Sequence, residues 1–248
     1  MPVANTYFEF KHFRIEQDRC AMKVTTDACL FGAWVTNRLQ CLQPRPSTLL
    51  DIGTGTGLLS LMIAQEITEP TITALELDPA TAEQASENSA AAGQQPRITI
   101  IPTDARDWIA AHSDRFDAVV SNPPFYESEL SSPDAGRDRA HHAGGLPLSA
   151  LPALIKKSLA PEGHFYLLLA EKGWNKFRLT LRQTGLHVHR VVAVRQTDRH
   201  QPFRMLLEGQ HSERGIDALI QEELVIVDGR TGYSEPFRQL LRPYYLKC

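Results

Sequence analysis

Three glycines at alternate positions, Gly53, Gly55 and Gly57, constrain the fold of this 248-residue chain more than any other feature. They follow TLLDI at 48–52, an apolar run typical of a buried strand, and they precede LLSLMIAQEI at 58–67, which we predict as a buried helix. In a parallel sheet, a strand, a glycine turn and a helix at the carboxyl edge form a nucleotide site. Glycine lets ligand atoms approach the backbone closely, and the helix N-terminus offers free amide donors.

Strands and helices are predicted to alternate along the rest of the chain. Further strands are expected at 71–77, 97–104, 116–122 and 164–171, and further helices at 28–40, 78–93 and 173–185. The segment 146–163 is expected to contain one more helix, ended by Pro161 and Gly163. A strand pair at the far edge of the sheet and one more short strand are expected at 187–196, 202–210 and 223–229. This alternation predicts an α/β fold with a Rossmann-like, doubly wound, seven-stranded sheet that is mostly parallel and has an antiparallel edge strand.

The composition is that of an ordinary globular protein, since 42% of the residues are hydrophobic and 22% are charged. An apolar run of about 18 residues and a secretory signal are both absent, so we expect a cytoplasmic protein without a membrane span. The four cysteines show no CxxC spacing, so we expect reduced thiols and no metal site. The net charge is −3, but residues 124–214 hold 13 Lys and Arg against 9 Asp and Glu, which is compatible with a polyanionic partner.

The spacing of the glycines distinguishes three kinds of nucleotide site. A P-loop needs GxxxxGK followed by Ser or Thr, which is absent. The GxGxxG pattern of dinucleotide sites fits Gly53 and Gly55, but the next required position is Leu58. The chain instead has GxGxG with Asp51 two residues ahead, which is the pattern of S-adenosylmethionine-dependent methyltransferases. We therefore predict the class I methyltransferase form of the fold, with S-adenosylmethionine as cofactor.

Acidic residues lie at the ends of the first three predicted strands, in the order that this cofactor requires. Asp51 can orient the glycine loop or bind the ammonium group of the methionine part. Glu76 ends the second strand, where a carboxylate can accept both ribose hydroxyls. Asp104 follows the third strand, where its carboxylate or the adjacent backbone can bind the adenine amine. We predict that these acids and the three glycines bind the cofactor.

A second motif, Asn122-Pro123-Pro124-Phe125, ends the fourth predicted strand at the same edge of the sheet. An amine attached to an aromatic ring or a carbonyl is a poor nucleophile, because its lone pair is delocalised. The Asn122 side-chain oxygen and the Pro123 carbonyl can each accept one N–H of such a group, and Phe125 can stack on it. We therefore predict Asn122, Pro123 and Phe125 as catalytic residues that position a planar NH₂ group of an adenine, a cytosine, a guanine or a glutamine amide.

Segments along nearly the whole chain resemble one known family. They are FEFKHF at 8–13, QDRCAMKVTTDACLFGAW at 17–34, LLDIGTGTGLLSLMIAQ at 49–65, ELDP at 76–79, SNPPF at 121–125 and GYSEPFRQLLRPYYL at 232–246. Together they resemble the bacterial tRNA1(Val) (adenine(37)-N6)-methyltransferases. The resemblance implies methylation of the adenine beside the valine tRNA anticodon. It also implies that Thr25, Thr26 and Asp27 lie over the cofactor and substrate pocket, whereas the residues alone predict only a helix cap there.

An RNA substrate would have to present its adenine splayed out of the anticodon loop of the valine isoacceptor. We predict substrate contacts beside the NPPF motif and in the loop after it, 127–145, from Pro124, Tyr126, Arg137, Arg139, His141 and His142. More remote candidates are Lys172, Lys176, Arg178, Arg195 and Arg199. We expect a single domain over 1–248, with 1–47 contributing to the pocket and no obligate protein partner. Ordinary packing is expected for Phe8, Phe10 and Phe13.

Three alternatives remain open at this point. A release-factor glutamine methyltransferase also uses an NPP-aromatic motif, but such proteins usually carry a helical N-terminal domain, and only about 50 residues precede Gly53 here. A methyltransferase acting on an amine of ribosomal RNA or DNA would use the same chemistry. A non-catalytic RNA-binding module with a relic methyltransferase fold is disfavoured, because the glycines, the three acids and Asn122 are all intact.

Overall fold

The computed structural model describes residues 5–124, 146–211, 218–229 and 232–247. Its strands are β1 (Tyr7–Glu9), β2 (Arg14–Glu16), β3 (Thr48–Ile52), β4 (Thr71–Glu76), β5 (Ile98–Pro102), β6 (Phe116–Ser121), β7 (Leu159–Ala170), β8 (Leu186–Arg195), β9 (Arg204–His211), β10 (Ile220–Val225), β11 (Val227–Asp228) and β12 (Gly232–Tyr233). Its helices are α1 (Thr26–Gln40), α2 (Leu58–Glu66), α3 (Pro79–Ala91), α4 (Ala105–Ala111), α5 (Leu151–Ser158), α6 (Trp174–Gln183) and α7 (Glu235–Leu241).

The central sheet has the strand order β10-β8-β9-β7-β6-β3-β4-β5. β9 runs antiparallel to its neighbours β7 and β8, and the other neighbouring strands are parallel. From β3 the chain extends the sheet through β4 and β5, and then returns to add β6 and β7 on the other side of β3. The direction of winding therefore reverses between β3 and β6. The predicted doubly wound, mostly parallel α/β sheet is confirmed.

Two details of the predicted sheet are wrong. The sheet has eight strands rather than seven, because β10 pairs with β8 from Ile220↔Arg190 to Val225↔Arg195. The antiparallel strand lies inside the sheet rather than at its edge, because β9 lies between β7 and β8. Strands adjacent in sequence are expected to pair, but adjacency does not say on which side of β8 the chain returns.

The start of β7 also differs from the prediction that a helix within 146–163 is ended by Pro161 and Gly163. Helix α5 ends earlier, and Leu159 already pairs with Phe116 of β6. The turn-forming residues at 161–163 lie within a register shift of β7, where Glu162 has a φ of 61°. They therefore make an irregularity inside a strand rather than the end of a helix.

Hydrophobic residues cover both faces of the sheet, because side chains alternate along each strand. Leu49 belongs to the core beneath α1, α2 and α7, whereas Leu50 belongs to the core beneath α4, α5 and α6. The N-terminal aromatic residues join the first core, and the Phe10 and Phe13 ring centroids are 4.6 Å apart. Ordinary packing of these rings is thereby confirmed. Asp51, two residues after Leu49, faces the α2 side of the sheet, where it meets the candidate site.

Candidate active site

The carboxyl ends of β5, β4, β3 and β6 lie side by side at one edge of the sheet. The predicted acids, the glycine loop and Asn122 all lie at or just after these ends. Neighbouring strands are about 4.8 Å apart, so the four ends form a short continuous row. In open α/β sheets, ligands bind in the crevice where the winding direction reverses, which here is between β3 and β6. The topology therefore places the glycine loop beside the Asn122 motif.

The glycine loop is a tight turn fixed by backbone hydrogen bonds. The amides of Gly53 and Thr54 donate to the Leu75 carbonyl at 2.9 and 3.0 Å, and the amide of Gly57 donates to the Thr54 carbonyl at 3.1 Å. Gly55 has a φ of 57°, and a Cβ atom there would meet nothing within 4 Å. The loop therefore needs glycine at 55 for its backbone conformation, and the space beside that glycine is open to a ligand.

Asp51 is fully buried under this loop, and one of its oxygens is already engaged. Its Oδ2 accepts hydrogen bonds from the hydroxyls of Thr54 at 2.7 Å and Ser60 at 2.8 Å, whereas Oδ1 has no partner among the described residues. Burial raises the pKa of Asp51 to about 6; the two hydroxyls oppose this rise and the nearby charge of Glu76 adds to it. A buried carboxylate with a free oxygen fits a cationic donor such as an ammonium group.

Glu76 ends β4 and is held by backbone amides on both of its oxygens. Oε2 accepts from the amide of Gly55 at 2.8 Å, and Oε1 accepts from the amide of Asp78 at 3.0 Å. Asp78 in turn caps α3 by accepting from the amide of Thr81 at 2.8 Å, as its sequence position predicts. Each carboxylate oxygen retains a further lone pair, so Glu76 is fixed in an orientation that can accept a pair of hydroxyls.

Asp104 follows β5, but its carboxylate has protein partners. It caps α4 by accepting from the amide of Arg106 at 2.8 Å, and it also pairs with the Arg106 guanidinium. The side-chain hydrogen bond from Arg106 lowers the pKa of Asp104. A contact between the adenine amine and the backbone beside Asp104 is therefore favoured over a contact with the Asp104 carboxylate.

Asn122 follows the last residue of β6 and is half-buried at the crevice. The hydroxyl of Ser121 donates to the Ile52 carbonyl at 2.8 Å, which ties the end of β6 to the end of β3. The Oδ1 atom of Asn122 is buried and has no partner among the described residues. Pro123 is buried and Pro124 is half-buried. A desolvated acceptor held rigidly at the switch point fits an N–H donor of a substrate.

The predicted catalytic residue Phe125 and several predicted substrate residues lie outside the part of the chain that the structure describes. They are Phe125, Tyr126, Arg137, Arg139, His141 and His142, together with the rest of the predicted loop at 127–145.

The segment before α1 lies along α3 and the glycine loop. Asn88 donates to the carbonyls of Glu16 at 2.9 Å and Thr56 at 3.0 Å, and Gln84 accepts from the amide of Arg19 at 3.0 Å. The side chains of Gln84 and Asn88 are buried, and they lie four residues apart on one face of α3. This docking was not predicted from the sequence. The only sequence feature that points to this contact is the pair Gln84 and Asn88, two amide side chains four residues apart. The rest of α3 has the polar composition of a solvent-exposed helix.

Asp27 and Thr26 begin α1 at the same edge of the sheet. Thr25 caps the helix by accepting from the amide of Ala28 at 3.4 Å, so the helix-cap interpretation holds for that residue. The Asp27 Oδ2 atom accepts from Arg204 Nε at 2.6 Å. Arg204 is opposite Ala170, the last residue of β7, so this ion pair lies near the carboxyl ends of β7 and β6. The sequence did not identify Arg204 as a site residue.

Comparison with known proteins now identifies the family. The family model "Methyltransferase small domain" matches residues 36–145. A protein of Dyadobacter fermentans named tRNA1(Val) (adenine(37)-N6)-methyltransferase is 36% identical over 245 residues, covering 98% of each chain. The chain belongs to the family of tRNA1(Val) (adenine(37)-N6)-methyltransferases. A member from Citrobacter koseri with the same name is 37% identical over 240 residues and covers 96% of this chain and 94% of its own. The family and the class of enzyme predicted from the sequence are therefore confirmed, and the release-factor, ribosomal RNA and DNA alternatives are not favoured.

Solved structures of more distant proteins share the fold. The tRNA m1G37 methyltransferase of M. jannaschii superposes with a TM-score of 0.61 at 12% identity, covering 84% of this chain and 56% of its own. The ribosomal protein L11 methylase of Lactobacillus delbrueckii has a TM-score of 0.56 at 16% identity, covering 80% and 84%. These similarities confirm the class I methyltransferase fold. None of the helices among the described residues combines the length and apolar character needed to cross a membrane.

A second polar cluster of this methyltransferase lies away from the crevice, beneath the C-terminal part of α1. His164, His189 and Glu208 have side-chain atoms within 4.8 Å of one another, a spacing within reach of a metal ion. However, the buried Glu208 carboxylate already accepts a hydrogen bond from Arg38 Nε at 2.9 Å. It also forms an ion pair with Arg190, whose Nε lies 3.3 Å away. Burial alone would raise the pKa of Glu208, but the nearby side chains of His164, His189 and Arg38 outweigh it and hold the pKa well below its usual value. We interpret this cluster as a buried ion-pair network.

Proposed function

We propose that this protein transfers a methyl group from S-adenosylmethionine to N6 of adenine 37, beside the anticodon of tRNA1(Val). The observation that carries the proposal is the buried Asn122 Oδ1 atom, which has no partner among the described residues and lies at the switch point beside the glycine loop. The names of relatives about 36% identical over nearly the whole chain supply the substrate and the position.

The residues of the crevice fit S-adenosylmethionine at each polar group of that molecule. The free oxygen of Asp51 would accept from the ammonium, Glu76 would accept from the ribose hydroxyls, and the backbone at Asp104 would contact the adenine. The glycine loop of Gly53, Gly55 and Gly57 would lie against the methionine and ribose, because the space beside Gly53 and Gly55 is open to a ligand, whereas Gly57 faces Ala85 of α3. When bound, this cofactor supplies an electrophilic methyl group carried on a sulfonium.

Asn122 and Pro123 would position the acceptor amine. The Asn122 Oδ1 atom and the Pro123 carbonyl would each accept one N–H of the adenine amino group, and Phe125 would stack on the ring. The nitrogen lone pair is then directed out of the ring plane toward the methyl donor. Positioning and electrostatic stabilisation of this kind lower a barrier by several kcal/mol. The methylated nitrogen becomes acidic as its positive charge develops, so it loses its proton without a dedicated general base.

The remaining expectations belong to the same proposal. Residues 1–248 would act as one domain in the cytoplasm, with 1–47 covering the pocket through Thr26 and Asp27. Residues 127–145 would bind the substrate, with Pro124, Tyr126, Arg137, Arg139 and His141 contacting the anticodon loop of the valine tRNA. The contacts of Asn88 with both the N-terminal segment and the glycine loop support the role of 1–47.

A methyl-transfer assay tests the function and its mechanism together. Purified protein alone is incubated with S-adenosylmethionine and total tRNA from a strain lacking this gene, and the digested nucleosides are analysed by mass spectrometry. N6-methyladenosine mapped to position 37 of the valine tRNA is the expected product. Absence of a product in tRNA, with activity on ribosomal RNA or a protein glutamine, would overturn the substrate assignment.

The Asn122→Ala variant tests the role of the amide. We expect a loss of about 100-fold or more in kcat with cofactor binding retained, because the acceptor is needed only when the amine is bound. Asn175→Ala is the matched control, since Asn175 is exposed on α6. Wild-type turnover by Asn122→Ala would show that the mechanism is wrong.

A further inference from the structure

The carboxyl edge of the sheet has two electrostatically different halves. On the half formed by β3, β4 and β5, three cations are held by protein oxygens: Arg106 by Asp104, Arg19 by Glu83 and Glu87, and Lys23 by the carbonyls of Gln17 and Cys20. The same half carries exposed acids at Asp18, Asp78 and Asp107. A polyanion is therefore disfavoured on this half, which is also where the cofactor residues lie.

The half beyond β6 has cations of a different kind. Lys172 follows β7, and Arg199 lies in the turn between β8 and β9; both are exposed, and neither forms an ion pair within the described parts of the chain. The exposed acids Glu171 and Asp198 are their sequence neighbours, so the positive charge is local rather than a broad basic field. Lys172 and Arg199 are therefore free to bind phosphates individually.

The turn that carries Arg199 is held in place by several hydrogen bonds and an ion pair. Arg195 anchors it by donating to the His200 carbonyl at 3.0 Å and pairing with Glu223 at 2.9 Å. Thr197 Oγ1 lies 2.7 Å from His200 Nδ1 and accepts from the amide of Arg199 at 3.3 Å. These bonds hold Arg199 and His200 at the tip of the turn, so a contact made there would lose little conformational entropy.

The positions of these groups suit the path of an RNA strand. Lys172 follows β7, the neighbour of β6, and the turn between β8 and β9 lies two to three strands from β6. At the usual strand spacing, these lateral offsets from β6 are about 5 Å and about 10–14 Å. A base inserted at Asn122 must leave its backbone outside the crevice, and the acidic half repels that backbone. An RNA strand bound in this way would therefore cross the sheet edge above β7, β9 and β8.

We propose that Lys172 and the 195–204 turn, through Arg199 and His200, bind phosphates of the RNA strand that carries the target adenine. This inference rests on the proposed function, because it takes tRNA as the substrate. It adds the direction from which the RNA enters and the residues that hold its backbone.

The test compares Arg199→Gln, Lys172→Gln and the double variant with wild type, using unmodified tRNA1(Val) transcript. We expect the KM for tRNA to rise about 3–10-fold for each single variant, with kcat at saturating tRNA and the affinity for S-adenosylmethionine unchanged. Binding measured by fluorescence anisotropy from 50 to 200 mM salt should show a log–log slope smaller by about 0.7 for each lost contact.

Arg182→Gln is the matched control, because Arg182 is an exposed cation in the last turn of α6, at the opposite end from Lys172. If Arg182→Gln raises the KM as much as Arg199→Gln does, net charge explains the effect and the inference is overturned. Wild-type KM and salt slope in the double variant would overturn it as well. If the wild-type protein methylates no tRNA at all, the proposed function itself is wrong. That outcome is distinct from a failure of this inference, in which the wild-type protein methylates tRNA and the variants behave like it.

Discussion

The affinity for S-adenosylmethionine is expected to fall as pH drops below about 6, because of Asp51. Burial raises the pKa of this carboxyl to about 6 in the ligand-free protein. An ammonium group at the free Oδ1 atom favours the ionised carboxylate, so at lower pH binding must first displace a proton. At pH 5 about one tenth of Asp51 is ionised, and we expect binding to be about tenfold weaker than at pH 8.

Asp51→Asn isolates the charge from the hydrogen bonds. The amide oxygen can still accept from Thr54 and Ser60, so the loop keeps its support. The variant loses a hydrogen bond to a charged group, which is worth about 2 kcal/mol, so we expect about 30-fold weaker binding at pH 8. This weaker binding should no longer depend on pH between 5 and 8.

The same pKa shift predicts how stability changes with pH. The folded-state pKa of about 6 is above the unfolded value, so the native protein binds more protons between about pH 4 and pH 6. The free energy of unfolding of the ligand-free protein therefore decreases as pH rises through that window, by about 3 kcal/mol from this group. Asp51→Asn should remove this contribution.

Isothermal titration calorimetry of S-adenosylmethionine binding from pH 5 to pH 8 tests the argument. Glu69→Gln is the control, since Glu69 is a half-exposed acid before β4 that pairs with Arg45. It should follow the wild-type pH dependence. An affinity that stays constant from pH 8 to pH 5 in wild type, or the same dependence in Asp51→Asn, would refute the role assigned to Asp51.

Two further predictions concern the loop and the buried cluster. Gly55→Ala should destabilise the protein by about 1–2 kcal/mol, because φ is 57° there, and should also weaken cofactor binding. Gly93→Ala has a similar φ of 67° at the end of α3, so it should show the stability loss with unchanged affinity; equal affinities for the two variants would contradict the loop assignment. Glu208→Gln should destabilise by about 1.5–3 kcal/mol in denaturant unfolding, because it removes the buried carboxylate that the partly buried Arg38 and Arg190 contact. The exposed partner Glu222→Gln should change stability by less than about 1 kcal/mol, and an equal effect of the two would rule out a buried network.

Local sequence signals predicted the strand ends, the glycine turn and the helix caps at this edge of the sheet well, because each signal acts over a few residues. Asp78 caps α3 with Pro79 in its first turn, as expected from their order in the sequence. The glycines end β3 and begin α2. Such features depend on backbone conformation and nearby hydrogen bonds, which the local sequence specifies directly.

Contacts between distant segments could not be predicted in this way. The Asp27–Arg204 pair joins residues 177 positions apart, and Asn88 reaches back 72 positions to Glu16. A single sequence contains no signal for such pairings beyond the presence of a polar residue. The position of β9 between β7 and β8 could not be predicted for the same reason. The hydrophobic pattern of β9 would be satisfied equally well on either side of β8.

The sequence by itself determined the class of fold, the glycine loop, the acids around it and the Asn-Pro-Pro motif, because spacing and residue type specify these features locally. Only the tertiary structure decided that Asp51 is buried with one free oxygen, that Glu76 is held by the amide of Gly55, and that available cations lie on one half of the sheet edge. Burial and charge distribution arise when strands from the whole chain assemble side by side. They decide which of the predicted residues can bind a ligand and from which side an RNA strand can approach.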